Sequence, residues 1–158
     1  MGWLRTTRDE LTLVAIEEGF DVVTGDVRLV GRVDRIERDR DGRLVVIDLK
    51  TGKSKPNAKQ LPTHPQLGAY QLAVELGGFA EGDVAGGARL VQLAAAGGEQ
   101  VQPPRAEAED PAWIGDALQE MAKRLRGARF SAVVGPQCKT CDVASCCPLT
   151  PNGQQVTG

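Results

Sequence analysis

Aromatic side chains are scarce in this chain: one Tyr, two Trp and three Phe make up 4% of its 158 residues. Val, Leu and Ala must therefore fill the core, and 41% hydrophobic content over this length suffices for one domain, 1–158. Histidine is represented only by His64, and no cysteine precedes Cys138. No apolar run reaches the length of a membrane span and no signal peptide is present, so no membrane partner and a cytoplasmic location are expected. Internal repeats and extended low-complexity tracts are missing as well. The Gly- and Ala-rich stretches near Gly77–Gly87 and Ala94–Gly98 read as loops.

The net charge of −2 excludes a uniformly basic or acidic protein, but its distribution is uneven. Arg32 to Lys59 holds nine basic and five acidic residues, a surplus of +4, whereas Glu81 to Glu120 holds two and eight, −6. From Met121 onward five basic residues face one acidic, again +4.

Val22 to Arg38 and Arg43 to Lys50 read as a meander with Thr24-Gly25-Asp26 as a turn. Trp3 to Ile16 reads as the end of a helix feeding into a strand. His64 to Leu76 is expected to be a helix and Ala88 to Leu93 a strand. Asp110-Pro111 opens a further helix, with aspartate as cap and proline at the first helical position. Trp113, Ile114, Ala117, Leu118, Met121 and Leu125 recur on one face of that helix and read as core packing. Strands alternating with helices predict a three-layer α/β architecture.

The segment from Gly31 to Tyr70 carries the chemistry. Side chains alternate along a strand, so Asp48 and Lys50 project to one side of the sheet. Arg40-Asp41-Gly42 suits a three-residue hairpin loop ending in a left-handed glycine. That register pairs Asp39 with Arg43, and hence Asp34 with Asp48. Two carboxylates directly opposed across a sheet repel each other, unless a divalent cation between them turns the penalty into a site. Each could singly be an ordinary strand-end charge answering nearby arginines. As a group they follow Leu44-Val45-Val46-Ile47, a run that reads as buried on both faces, where charge is costly unless employed.

Asp34, Asp48-x-Lys50 and Gln66-x-x-x-Tyr70 together resemble the RecB-type branch of the PD-(D/E)XK nuclease superfamily, over roughly Glu17 to Pro148. The wording of the stretch is most similar to C-terminal nuclease domains of actinobacterial helicase–nucleases of the AdnAB and AddAB type. The resemblance implies a restriction-endonuclease-like core, a central mixed β-sheet flanked by helices. It makes Asp34, Asp48 and the Leu49 carbonyl metal ligands, Lys50 the active-site lysine, and Gln66 and Tyr70 a motif beside them. Glu17 would be a supporting residue. Hard carboxylate oxygens suit Mg²⁺ or Mn²⁺, which lower the pKa of a bound water and clamp a phosphate. Lys50 would orient that water or offset charge in the transition state. Gln66 and Tyr70, four apart, share a helix face. Their alternative role is to pack that helix on the sheet.

All four cysteines fall between Cys138 and Cys147, inside a tail of 136–148. Cys138, Cys141 and Cys147, followed by Pro148, resemble the last three cluster ligands of iron–sulfur nucleases in this family, whose fourth cysteine lies upstream. Either that ligand is missing from this chain, or Cys146 substitutes in a 4Fe-4S site. A zinc site using all four thiols is the alternative, made awkward by the adjacency of Cys146 and Cys147. A disulfide does not suit a reducing compartment. The family's usual histidine ahead of the first aspartate is also absent, and His64, before Pro65, reads as a turn or helix-start residue. Both absences lead us to expect an N-terminally truncated piece of a larger helicase–nuclease.

The expected function is therefore metal-dependent hydrolysis of DNA phosphodiester bonds, on single strands delivered by a helicase during break processing. No Walker motif is present, so the motor would lie elsewhere in the polypeptide or on a partner subunit. The basic segments coincide with the active-site and cysteine regions, where a phosphate backbone would approach. No groove-reading helix is evident, which argues against sequence-specific readout. The alternatives are a catalytically inactive nuclease fold that guides DNA or scaffolds a repair complex, and a stand-alone repair or restriction nuclease.

Overall fold

The computed structural model describes residues 10–52, 56–94, 98–127 and 132–150. The chain divides into two compact units, Met1–Ala122 and Lys123–Gly158. The first contains a five-stranded sheet in the order β1-β2-β3-β4-β5: β1 (Thr12–Thr24), β2 (Val27–Arg38), β3 (Leu44–Lys50), β4 (Ala85–Gln92) and β5 (Gly98–Gln102). Helix α1 (Pro65–Glu75) connects β3 to β4, and α2 (Trp113–Arg126) follows β5. Only β3 and β4 run parallel; the other neighbours are antiparallel, so the sheet is mixed and the class is α/β as expected.

The glycines set the meander. Gly25, at φ +55°, turns β1 into β2, and Gly42, at φ +83°, ends the Arg40-Asp41-Gly42 loop between β2 and β3. Asp39 supports that loop: its carboxylate accepts the N–H groups of Asp41 and Arg43 and pairs with the Arg43 guanidinium at 2.8 Å. Burial alone would raise the Asp39 pKa, but these donors outweigh it and hold the carboxyl below its usual range.

Leu44 to Asp48 of β3 are buried, which fits a middle strand in the sheet. On the α1 side, Leu44, Val46, Ile36, Ala88 and Leu90 meet Leu67, Ala73 and Val74 of the helix. Each fully buried aliphatic side chain there contributes about 1.5–3 kcal/mol. Phe20 extends this core with edge-on contacts to Phe79 and Tyr70, at ring centroid distances of 5.7 and 6.2 Å. Gly68 lets α2 approach α1, because a Cβ there would lie 2.4 Å from Trp113 Cζ2.

Several sequence expectations change. Residues 1–9 lie outside the described set, and from Thr12 the chain is already strand, so the helical reading of Trp3 to Ile16 fails over its last residues. Strand β4 starts at Ala85, inside the expected Gly77–Gly87 loop, and Gly98 opens a strand that the sequence reading missed. Helix α2 begins at Trp113, although the Asp110 carboxylate does accept the Ala112 N–H at 2.9 Å. Of its apolar stripe only Ile114 is buried; Trp113 and Leu118 are half-buried, and Ala117, Met121 and Leu125 are exposed. Periodicity identifies the apolar side of a helix but not how far the surface beneath it extends. Among the described residues no helix is long and apolar enough to cross a membrane.

Candidate active site

The ladder between β2 and β3 runs from Arg38↔Leu44 to Arg35↔Ile47, so its next position sets Asp34 opposite Asp48. There the two strands part, and β3 continues against β4 alone. Asp34 takes over where the ladder stops: its Oδ2 accepts the Leu49 N–H at 2.7 Å. In an extended strand the N–H and C=O of one residue point toward the same edge, so the Leu49 carbonyl faces the Asp34 side as well.

Asp48 is 4% exposed. It lies at the end of a middle strand, which explains how a carboxylate comes to be buried. Helix α1 supplies the partners, since Gln66 and Tyr70 lie one turn apart. Gln66 Nε2 donates to Asp48 Oδ1 at 2.9 Å and to the Tyr70 hydroxyl oxygen at 2.8 Å. The Tyr70 hydroxyl donates to the same Oδ1 at 3.3 Å. Lys50 Nζ donates to Gln66 Oε1 at 2.9 Å and stands 2.8 Å from Asp48 Oδ2. Gln66 is thus the hub that joins lysine, aspartate and tyrosine. Burial raises the Tyr70 pKa; the Gln66 bond opposes this and the Asp48 charge adds to it.

Asp48 Oδ2 is buried and receives no hydrogen bond, since the Lys50 ammonium lies at ion-pair distance outside hydrogen-bond geometry. This oxygen thus has one charge partner, the Lys50 ammonium, and keeps lone-pair capacity for a second cation. Two carboxylates and one carbonyl are the oxygen donors that Mg²⁺ or Mn²⁺ accepts while keeping part of its water shell, so these residues fit such an ion. Among the described residues no group of three or more His, Cys, Asp or Glu side chains converges as a metal cage.

His64 occupies the N-cap position of α1 without a side-chain cap bond, as the helix-start reading expects. Its Nδ1 is buried without a partner. Burial lowers its pKa and the Lys50 charge lowers it further, against a smaller opposing effect of Asp48. His64 therefore shares the electrostatic field of the site, which its sequence position did not reveal.

The basic stretch is less available than its count implies. Arg32 pairs with Glu17, Arg35 with Glu37 and Arg43 with Asp39, while Arg38 donates to the carbonyls of Gly42 and Glu81. Glu17 lies at the β1 position facing Asp34 and, among the described residues, is the one non-glycine with positive φ, +53°. Lys50 is 37% exposed in its side chain and Lys59 is exposed, whereas Lys53 and Lys55 lie outside the described residues.

In the second unit the tail forms short 3-10 turns at Pro136–Thr140 and Ala144–Cys146. Its thiols are free: Cys138, Cys141 and Cys146 are exposed and Cys147 is half-buried. The Gly135 N–H donates to Cys138 Sγ at 3.3 Å.

The model of the PD-(D/E)XK nuclease superfamily matches residues 1–148. No curated protein matches the chain. Among solved structures it is similar to the crystal structure of SSO0001, with 22% identity and a TM-score of 0.46 over 93% of this chain and 65% of that one. The chain thus spans just under two thirds of that protein's length.

Proposed function

This chain belongs to the PD-(D/E)XK nuclease superfamily, and from that premise we propose that it is a metal-dependent deoxyribonuclease acting through Asp34, Asp48 and Lys50. The observation that carries this reading is the Asp48–Lys50–Gln66–Tyr70 network, in which the buried Asp48 carboxylate stands 2.8 Å from the Lys50 ammonium.

Asp34, Asp48 and the Leu49 carbonyl would hold Mg²⁺ or Mn²⁺, as nucleases of this superfamily typically do. When bound, the ion supplies water activation and relief of phosphate charge. The protein does the positioning. Gln66 and Asp48 hold the ammonium of Lys50, whose side chain is partly exposed, so that it can face a phosphate oxygen or the attacking water. Tyr70, braced by Gln66 and Phe20, fixes the Asp48 carboxylate. Helix α1 thus serves catalysis through the site itself as well as through packing.

The substrate we propose is single-stranded DNA delivered by a helicase motor in the same polypeptide or a partner subunit, as in helicase–nucleases of the AdnAB and AddAB type. The exposed Lys59 and the partly exposed Lys50 support a backbone-directed contact. We propose Cys138, Cys141 and Cys147 as iron–sulfur ligands, with zinc as the alternative. Because the thiols do not converge among the described residues, either metal would require the tail to rearrange.

The test is cleavage of labelled single-stranded DNA with Mg²⁺ or Mn²⁺, comparing the protein with Asp48→Ala. Metal-dependent cutting that is lost in the variant supports the assignment. Cutting retained by folded Asp48→Ala refutes the site, and no cutting by metal-loaded wild type points to a DNA-guiding or scaffolding domain.

A further inference from the structure

Among the described residues two glutamines are the least exposed uncharged polar residues outside the site, Gln71 at 0% and Gln102 at 3%. Buried amides are tolerated only when their donors and acceptors are satisfied. These two satisfy each other and a stretch of backbone. Gln71 Nε2 donates to Gln102 Oε1 at 2.9 Å and to the Pro103 carbonyl at 3.1 Å, and Gln71 Oε1 accepts the Arg105 N–H at 2.7 Å. Gln102 Nε2 is directed at three carbonyls, those of Leu61, Pro62 and His64, at 2.8, 3.1 and 3.4 Å.

Those carbonyls belong to the turn that launches α1. The His64 N–H closes the turn on the Leu61 carbonyl, and the His64 carbonyl accepts the Gly68 N–H as the first helical bond. Gln66 lies in that first turn. A side chain on edge strand β5 therefore grips the backbone two residues ahead of the hub of the site. Gln71 then ties the same amide to α1 further along, so the helix is held at two points against sliding and rotation.

We propose that Gln102, supported by Gln71, is a positioning residue: it sets the first turn of α1 so that Gln66 reaches both Lys50 and Asp48. This inference rests on the nuclease reading for its kinetic consequence, but not for its structural one. If Gln102 only satisfied loop carbonyls, its loss would lower stability and leave the folded site unchanged. Gln100 provides the comparison. It lies on the same strand and donates to the Pro56 carbonyl at 2.9 Å, ahead of the launching turn.

The experiment compares the full chain with Gln102→Leu, the milder Gln102→Asn, and Gln100→Leu, by two readouts. Cleavage of single-stranded DNA with Mn²⁺ is measured at temperatures where each variant is folded. Gln102→Leu should lower kcat about 10- to 100-fold, as misplacement of a catalytic group by a fraction of an ångström does. KM should change less than about twofold, and Gln100→Leu should cut at nearly the wild-type rate. The second readout is the C2–H proton resonance of His64, the only histidine, which needs no activity. It should move in both Gln102 variants and stay in place in Gln100→Leu. If Gln102→Leu does not fold, Gln102→Asn decides by the same criteria. Wild-type kcat in a folded Gln102 variant, or an unmoved His64 resonance, overturns the proposal. If the wild-type protein does not cut DNA, the nuclease reading fails and the His64 signal alone decides.

Discussion

Replacing Gln66 with leucine tests the hub of the site, because leucine is close in size and removes every polar contact of the amide. Three hydrogen bonds are lost: from Lys50 Nζ, to Asp48 Oδ1 and to the Tyr70 oxygen. Two involve charged partners, worth about 1.5–3 kcal/mol each, and one is neutral, worth about 1 kcal/mol. The site is partly open to water, which can replace much of this. Tyr70 also still reaches Asp48 and Lys50 still pairs with it. The expected net loss is therefore about 2–3 kcal/mol, well below the sum. At about 2–4 °C per kcal/mol for a chain of this size, Tm should fall by about 5–10 °C. Cleavage should fall about 10- to 100-fold, corresponding to 1.4–2.7 kcal/mol of lost transition-state stabilisation. The assay pairs urea denaturation with single-turnover cleavage at 20 °C below the variant's Tm. A variant as stable and as fast as wild type would show that Gln66 does not bridge lysine and aspartate.

Gly68→Ala should destabilise the fold by about 1–2 kcal/mol. The added methyl meets the rigid Trp113 ring at 2.4 and 2.6 Å, and the overpacking cost exceeds the gain in helix propensity. A urea midpoint at or above wild type would contradict the close approach of α1 and α2. His64 links stability to pH: its folded pKa lies below the ordinary 6.5, so the unfolded chain binds more protons in between. Its contribution is full above about pH 6.5 and is lost as pH falls from there toward the folded value. His64→Gln should flatten that part of the stability–pH curve, and an unchanged slope between about pH 7.5 and pH 5.5 would refute the linkage.

The carboxylate pair was legible because a hairpin converts loop length into register. Gly42 fixed the loop, the loop fixed Asp39 against Arg43, and simple counting then placed Asp34 opposite Asp48. The spacing of Gln66 and Tyr70 likewise gave a shared helix face. The strand Gly98–Gln102 was missed because its sequence, GEQVQ, has the polarity of a loop. Its glutamines are strand residues because they meet backbone carbonyls across the structure. A cue existed at Gln71: α1 is apolar nearly all round, so a glutamine within it must be buried and satisfied. The free charge of the basic stretch was overestimated for a related reason, since arginine counts do not reveal which guanidinium groups are committed to Glu17, Glu37, Asp39 or a carbonyl.

The order of the strands in the sheet is their order in the chain, with one difference in kind. Strands β1 to β3 are joined by tight hairpins, whereas β4 reaches β3 only after the crossover through α1. Loop closure makes the hairpins the earlier event, and the crossover the slower one. Asp34 and Asp48 would then face each other before α1 brings Gln66 and Tyr70. In that interval two like charges oppose assembly, and a divalent ion would relieve them. Metal would therefore act on the rate of folding as well as on the finished protein: in stopped-flow refolding, Mn²⁺ should speed the folding limb, and an effect confined to unfolding would place the carboxylate pairing after helix docking.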